Sequence, residues 1–356
     1  MLIGIFEKVA AGTNLSRAEA EAAMEEILCG RATHEQIVRL LSALRLKGET
    51  VDELVGFATA MRRHAPRIFP ADHAHAHEVL VDTCGTGGDA SGTFNISTVG
   101  AFVVAAAGVR VAKHGNRSIS SRCGSADVLE QLGVEIELPP ESIARCIEQV
   151  GIGFLFAPAI HTATRHATPA RRELKTRTVF NLLGPLTNPA RASAQVVGVY
   201  DARVTRPMAE ALGALGVRRA FVVHGADGLD EISLSGGTHV SELRDGEVRD
   251  YDVAPEDFGL HYAPPDAIRG GDAQQNAEIV HKILGRSLLY REHGPRREIV
   301  LANASAALVA AERARDFKEG VRLAAESIDS GAARERLDAL VDFTQAEKQR
   351  IAWPSS

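Results

Sequence analysis

The sequence predicts an α/β protein: a large domain with a mainly parallel central sheet flanked by helices, preceded by a small N-terminal helical domain. Three observations carry this prediction. The first seventy residues hold three successive helix-capping patterns, apolar strand-like runs then alternate with helical stretches from Glu78 to beyond residue 220, and the last hundred residues return to helical periodicity.

The N-terminal helices are read from capping chemistry. Ser16 with Glu19, Thr33 with Gln36 and Thr50 with Glu53 each place a hydroxyl where it can accept from the third helical N–H. The Glu or Gln returns to the cap's own N–H. Between the second and third of these starts, Ile37, Leu40, Leu41 and Leu44 fall at i, i+3, i+4 and i+7, an apolar stripe that needs a partner surface, so a small bundle follows. Residues 66–77, with two prolines and with His73, His75 and His77 alternating with alanine, read as a connection. A histidine metal site there is outweighed, because no cysteine or carboxylate ligand pattern lies nearby.

From Glu78 the expected strands are EVLVDTC (78–84), VRVAKHG (109–115), VEIEL (134–138), GFLFAP (153–158), AQVVGVY (194–200) and RAFVVHG (219–225). Helices are expected between them over 99–107, from Ser125, from Glu141 and over 206–215. Such alternation favours βαβ crossovers and parallel pairing. Residues 242–248 contain Asp245-Gly246, a hairpin signal, and 302–311 are apolar enough for a buried helix.

Composition excludes several classes. A hydrophobic fraction of 45% and a charged fraction of 24% match soluble proteins, and no apolar run approaches the roughly 18 residues of a membrane span. The start, MLIGIFEKVAAG, lacks a basic n-region and carries Glu7, so no secretory signal and a cytoplasmic location are expected. Cys29, Cys84, Cys123 and Cys146 lie far apart without a Cys-x-x-Cys pair, against a disulfide framework or a structural zinc site. Forty basic against forty-six acidic side chains leave a net charge of −6, which disfavours nucleic acid as a partner. An anionic ligand must be met locally.

Four segments concentrate the chemistry. The first strand runs into Gly85-Thr86-Gly87-Gly88-Asp89, then through Thr93 to a helix opening near Asn95-Ile96-Ser97-Thr98. Glycines let successive N–H groups turn toward one point, and the helix start adds partial positive charge, a cradle suited to phosphate. No Gly-Lys-Ser/Thr follows and Ala90 stands three after Gly87, so this is neither a Walker loop nor the dinucleotide fingerprint. The second strand ends in Lys113-His114-Gly115-Asn116-Arg117-Ser118, continues through Ile119, Ser120 and Ser121, and enters a helix at Ser125. Adjacent parallel strands open on one edge, so the two anion loops should face each other.

After RAFVVHG comes Asp227-Gly228-Leu229-Asp230-Glu231. Alone this reads as an Asp-Gly turn; beside two phosphate loops, its paired carboxylates suit Mg²⁺ bridging protein oxygens to phosphates. The fourth segment, Arg171-Arg172-Glu173-Leu174-Lys175-Thr176-Arg177, offers a guanidinium for a planar carboxylate, with Arg172 and Lys175 expected on a solvated face.

Taken in order, GTGGD, NIST, KHGNRSISS, GSADVLEQLG, RTVFNLLGPLTNPA and DGLDE resemble the anthranilate phosphoribosyltransferase family, over about Asp82 to Glu231. The resemblance implies a nucleoside-phosphorylase-like architecture. A helical domain over 1–72, joined in space by helices near 165–190, would pair with an α/β domain over 73–356, commonly as a homodimer. It implies transfer of a phosphoribosyl group from 5-phosphoribosyl 1-pyrophosphate to the amine of anthranilate, a step of tryptophan biosynthesis. By the same resemblance Gly85, Gly88, Asp89, Thr93, Asn95, Ile96, Ser97 and Thr98 bind phosphoribosyl pyrophosphate. So do the residues from Lys113 through His114, Gly115, Asn116, Arg117, Ser118, Ile119, Ser120 and Ser121, and Ser125. Ser97, Asp230 and Glu231 would hold Mg²⁺; Gly85, Asn116 and Arg171 would contact anthranilate, with His114 and His161 as neighbours.

No nucleophilic Ser-His or Cys-His pair is evident, so direct attack by the amine is expected. The chain departs from the family where a His-Pro-Ala-Met-like stretch is usual, reading His161-Thr162-Ala163-Thr164 after Ile160, and Lys175 stands where glycine is common. These departures predict a more polar and wider acceptor pocket with relaxed ring selectivity. A related aromatic amino-carboxylate as acceptor, a pyrimidine-nucleoside phosphorylase, and a silent relative that binds nucleic acid or a protein partner stand as alternatives. The phosphorylase is disfavoured by the acid pair, and the silent relative by that pair and the net charge.

Overall fold

The structure is a computed structural model that describes residues 2–70, 78–89, 91–118, 122–285 and 294–352. His73, His75, His77, Ile119, Ser120 and Ser121 lie outside the described residues.

The N-terminal part folds as α1 (Leu2–Ala10), α2 (Arg17–Leu28), α3 (His34–Lys47) and α4 (Val51–His64). All three expected capping boxes form, at Ser16, Thr33 and Thr50. The stripe Ile37, Leu40, Leu41 and Leu44 is buried. Helices α2 and α4 cross at Gly56, where a Cβ would stand 2.4 Å from the Arg17 carbonyl oxygen. Only glycine permits that approach.

The α/β part proceeds through β1 (Leu80–Gly85), α5 (Ile96–Ala106), β2 (Arg110–Gly115), α6 (Ser125–Gln131), α7 (Pro140–Val150) and β3 (Ile152–Phe156). A short α8 (Ala157–Ile160) and a 3₁₀ turn (Thr162–Ala167) lead to α9 (Thr168–Leu174) and α10 (Val179–Leu186). Then follow β4 (Ala194–Gly198), α11 (Thr205–Ala214), β5 (Arg219–Gly225), β6 (Thr238–Arg244) and β7 (Glu247–Val253), and the chain closes with α12 (Ala273–Ile283), α13 (Pro295–Ala310), α14 (Phe317–Asp329) and α15 (Ala332–Ala352).

The seven strands form one sheet in the order β3-β2-β1-β4-β5-β6-β7. The first five are parallel; β6 and β7 are an antiparallel hairpin turning at Asp245 (φ 51°) and Gly246 (φ 84°). Positive φ at both turn residues matches the twist of the strands and explains the Asp-Gly pair. Since β2 and β3 lie to one side of β1 and β4 and β5 to the other, the chain reverses its direction of winding beside β1. A crevice opens at such a point, beyond the carboxyl ends of the strands.

One sheet face packs on α5, α13 and α15. Beyond the opposite face, the core of α1 to α4 runs without a break through Ala170, Val179 and Leu183 to Val197, Leu212 and Val222. The expected strand over 134–138 does not form. Its alternation is real, with Val134 and Ile136 buried, but no neighbouring strand is within reach. The segment is fixed instead by α15: the Glu135 N–H donates to Thr344 Oγ1 at 3.1 Å, and Lys348 pairs with Glu135 at 2.5 Å. No helix of the described residues is long and apolar enough to cross a membrane.

Candidate active site

The strand-end crevice is a cavity of about 300 Å³. The described residues assigned from sequence to phosphoribosyl pyrophosphate, anthranilate and the metal line it, from the loops after β1, β2 and β5 and from α9, whereas His161, expected as a neighbour of the acceptor, does not. Ala157, Phe180, Asn181, Gly184 and Pro185 complete the wall.

The loop after β1 is shaped by glycines in left-handed backbone, Gly87 at φ 66° and Gly88 at φ 80°. It is also fixed to the acid pair. The Gly87 N–H donates to Asp230 Oδ2 at 2.8 Å, and the Ser97 N–H, in the first turn of α5, donates to Glu231 Oε1 at 3.1 Å. An acidic side chain is well placed at a helix N-terminus. Gly198, at the end of β4, lets the acid loop come this close: a Cβ there would stand 1.5 Å from the Asp230 carbonyl oxygen.

Behind these loops lies a buried polar centre in which Lys113 and His114 join Asp82 and Asn188, two residues that sequence reasoning passed over. Asp82, fully buried, accepts from the His114 N–H at 3.0 Å and from Asn188 Nδ2 at 2.8 Å. Lys113 Nζ, also buried, donates to the Thr83 carbonyl at 2.5 Å and to Ser97 Oγ at 3.3 Å. Burial holds the Lys113 ammonium below its usual range against the pull of Asp82 and Glu231. Asn188 sits in the quoted TNPA segment, but nothing local in that segment announces a side chain reaching back to β1.

Asn95 does not turn its amide toward open space. It donates to the Cys123 carbonyl at 3.2 Å and accepts from Asn276 Nδ2 at 3.0 Å, while Asn276 accepts from the Gly271 N–H at 2.7 Å. The Gly-Gly-Asp segment at 270–272 therefore braces the opening of α5 from behind. Arg117 is likewise engaged elsewhere, pairing with Asp127 at 3.1 Å and with Glu130. Asp127 also accepts from the N–H groups of Ser118 at 3.1 Å and Gly124 at 2.8 Å, closing the second anion loop.

The acids are strongly perturbed. Burial, then the charges of Asp89 and Glu231, pushes the Asp230 carboxyl well above the carboxylate range. Burial lifts Glu231 to about 7 even though Lys113 opposes it. The half-buried Asp89 and Asp230 and the buried Glu231 form a donor set that a small divalent cation would neutralise. Their oxygens do not converge into one tight cluster, since Gly87 and Ser97 hold them apart. Such a pair still fits Mg²⁺, which keeps several waters and takes only one or two carboxylates.

The far wall has opposite character. Arg171 on α9 stands 5.1 Å over the Phe180 ring, and among the described residues no carboxylate pairs with it. Burial lowers its pKa, so its charge is uncompensated in the free chain. A planar carboxylate beside that guanidinium would gain two parallel hydrogen bonds. Arg172 and Lys175 are exposed, as expected.

His114 and His161 meet edge to face at 5.2 Å. His114 Nδ1 lies 3.1 Å from the Gly184 carbonyl, an acceptor, so Nδ1 carries the proton and Nε2 is left without a partner. Burial lowers both, taking His161 to about 3. The three residues expected to widen and polarise the acceptor pocket do not reach the cavity. Thr164 Oγ1 turns back to the His161 carbonyl at 2.7 Å, Thr162 is exposed and Ile160 is buried in the core, so none of the three lines the cavity. The Thr164 hydroxyl is spent on the 3₁₀ turn.

Comparison with known proteins agrees with this geometry. Residues 77–334 match the family described as glycosyl transferase family, a/b domain, and residues 3–65 match its helical bundle domain. The anthranilate phosphoribosyltransferase of Symbiobacterium thermophilum is 56% identical over 96% of this chain and 97% of its own. The solved anthranilate phosphoribosyltransferase of Thermus thermophilus superposes with a TM-score of 0.88 at 44% identity, covering 96% of this chain and 99% of its own. The Saccharomyces cerevisiae enzyme in complex with PRPP and Mg gives 0.85 at 27% identity, covering 97% and 98%. Its complex with 4-fluoroanthranilate gives 0.83 at 26%, with the same coverage. Sequence, fold and cavity thus agree, and this chain belongs to the anthranilate phosphoribosyltransferase family.

Proposed function

We infer that the chain transfers the phosphoribosyl group of 5-phosphoribosyl 1-pyrophosphate to the amine of anthranilate, giving N-(5-phosphoribosyl)anthranilate and pyrophosphate in tryptophan biosynthesis. One observation carries this reading: a single cavity joins two anion loops and an acid pair to an unpaired guanidinium stacked on an aromatic ring. Phosphoribosyl pyrophosphate is assigned to Gly85, Gly88, Asp89 and Thr93, to the helix opening at 95–98, and to the loop from Lys113 with Ser125. Ile119, Ser120 and Ser121 join this assignment by resemblance alone. Anthranilate is assigned to Gly85, Asn116 and Arg171, the guanidinium taking its carboxylate. Ser97, Asp230 and Glu231 would hold Mg²⁺, which when bound supplies charge neutralisation for the pyrophosphate.

The chain itself positions and polarises. Arg171 orients the acceptor so that its amine faces the anomeric carbon, and the backbone N–H groups of the anion loops with the Lys113 ammonium receive charge as pyrophosphate departs. The C–N bond forms as the C–O bond breaks, and the amine then loses a proton. A strong base is not required, because an arylamine carries a free electron pair. His161, held neutral down to about pH 3, is a poor proton acceptor.

The domain division at residue 72 with its partner helices near 165–190, a homodimer and a cytoplasmic location belong to the same proposal. The domain division is supported by the resemblance and by the core shared between α1 to α4 and α10, the homodimer by the resemblance alone, and the location by residues 1–12, which do not resemble a secretory signal. The test is loss of anthranilate fluorescence with phosphoribosyl pyrophosphate and Mg²⁺. Metal-dependent loss that EDTA stops, and a rise in the anthranilate KM of roughly 10- to 100-fold in Arg171→Ala from one lost charge-assisted contact, are expected. Fluorescence that persists while phosphoribosyl pyrophosphate still binds would move the search to another acceptor.

A further inference from the structure

At one end of the helical bundle, away from the cavity, a carboxylate, a thiol and an imidazole from two helices meet. Glu25 and Cys29 are one turn apart at the end of α2, and His64 ends α4. Cys29 Sγ lies 3.3 Å from Glu25 Oε1, and His64 Nε2 lies 2.9 Å from Glu25 Oε2. The three donor atoms lie within 4.8 Å of one another, and among the described residues no other such group of three occurs. We propose that Glu25, Cys29 and His64 form a binding site for a borderline-soft divalent cation of the zinc class, with the remaining position taken by water.

Three features support it. Mixed sulfur, nitrogen and oxygen donors are a zinc set, and a thiolate is the wrong partner for Mg²⁺. The donors sit on rigid ground: α2 and α4 are held together by fully buried Ala20, Ala23, Ile27, Phe57 and Ala60 and by the close crossing at Gly56. The charge around the site also calls for a dication. Arg63 pairs with Glu21 and lies 3.9 Å from Glu25, and Arg31 pairs with Glu26 at 2.7 Å. Three carboxylates face two guanidinium groups, an excess of one negative charge that becomes two when a bound cation displaces the thiol proton. The site holds a single cysteine and His64 lies 39 residues beyond Glu25, so no Cys-x-x-Cys spacing marks it.

The proposal is independent of the transferase reading. It is tested on the full-length chain with Mg²⁺ in excess, using Co²⁺ alone as an optical probe. One equivalent of Co²⁺ is expected to give a thiolate-to-cobalt charge-transfer band that Zn²⁺ abolishes. Cys84, Cys123 and Cys146 are buried, so the band reports Cys29. Cys29→Ser should remove it, and His64→Gln and Glu25→Gln should each weaken binding more than about tenfold, since even outer-shell partners are worth that much. Turnover with saturating Mg²⁺ should be unchanged in Cys29→Ser. A wild-type chain that shows no band, or a band that survives in Cys29→Ser, overturns the proposal.

Discussion

Replacing His161 with glutamine should make the folded chain less sensitive to acid, by an amount the structure sets. The imidazole is 7% exposed, with Nε2 unpartnered and the His114 ring at 5.2 Å. Burial first, and His114 second, depress it to about 3. In the unfolded chain an imidazole titrates near about 6.5. A depressed value means that the folded state resists the proton that the unfolded state accepts, so stability is full above about pH 6.5 and falls as pH drops toward the folded value. The limiting loss is about 5 kcal/mol, reached only below about pH 3; by about pH 5 it is about 2 kcal/mol. Urea unfolding of wild type and His161→Gln at about pH 7.5 and about pH 5 measures it. Glutamine takes up no proton, so the wild type should lose about 2 kcal/mol more than the variant over this interval, whatever constant offset the substitution brings. Equal losses in the two proteins would refute the reasoning.

Two further substitutions test the frame of the site. In Gly198→Ala the new methyl would meet the Asp230 carbonyl oxygen at 1.5 Å, so the acid loop must move by an ångström or more. Turnover should fall by roughly 100-fold or more with far-ultraviolet dichroism retained, and near-normal turnover would count against the assigned role of the acids. Asn276→Leu leaves the buried Gly271 N–H without its acceptor and reduces Asn95 Oδ1 to the weak Cys123 thiol donor at 3.5 Å. Unfolding free energy should drop by about 2–4 kcal/mol, and a change below about 0.5 kcal/mol would show that this bracing is dispensable.

What could be read from the sequence was whatever local rules enforce. The capping boxes at Ser16, Thr33 and Thr50, the Asp245-Gly246 turn and the glycine loop after β1 each need particular residues within a few positions, and all formed. The edge on which the two anion loops meet followed from parallel pairing of β1 and β2. The segment 134–138 misled because alternating burial is shared by a strand and by an extended stretch pinned to a helix, and only the missing neighbour separates them. Asp82, Asn188 and Asn276 were missed because their partners lie 32 to 181 residues away in sequence. Thr164 was misjudged because a hydroxyl near a site can be spent on its own turn, and Thr162 because a residue next to the site in sequence can face outward.

The winding reversal beside β1 has a consequence for how such a site can change. The groups assigned to the phosphoribosyl donor leave three strand ends of one continuous hydrogen-bonded sheet, so moving any of them disturbs the ladder that holds the others. Arg171 hangs instead on a two-turn helix bracketed by a 3₁₀ turn and by Lys175 in left-handed backbone at φ 48°. The carboxylate clamp assigned to the acceptor can therefore be rebuilt by changing a short segment outside the sheet, while Gly85 and Asn116, at strand ends shared with the donor, stay in place. A lineage descended from this scaffold would be expected to diversify in what it attaches to the sugar long before it changes the sugar itself.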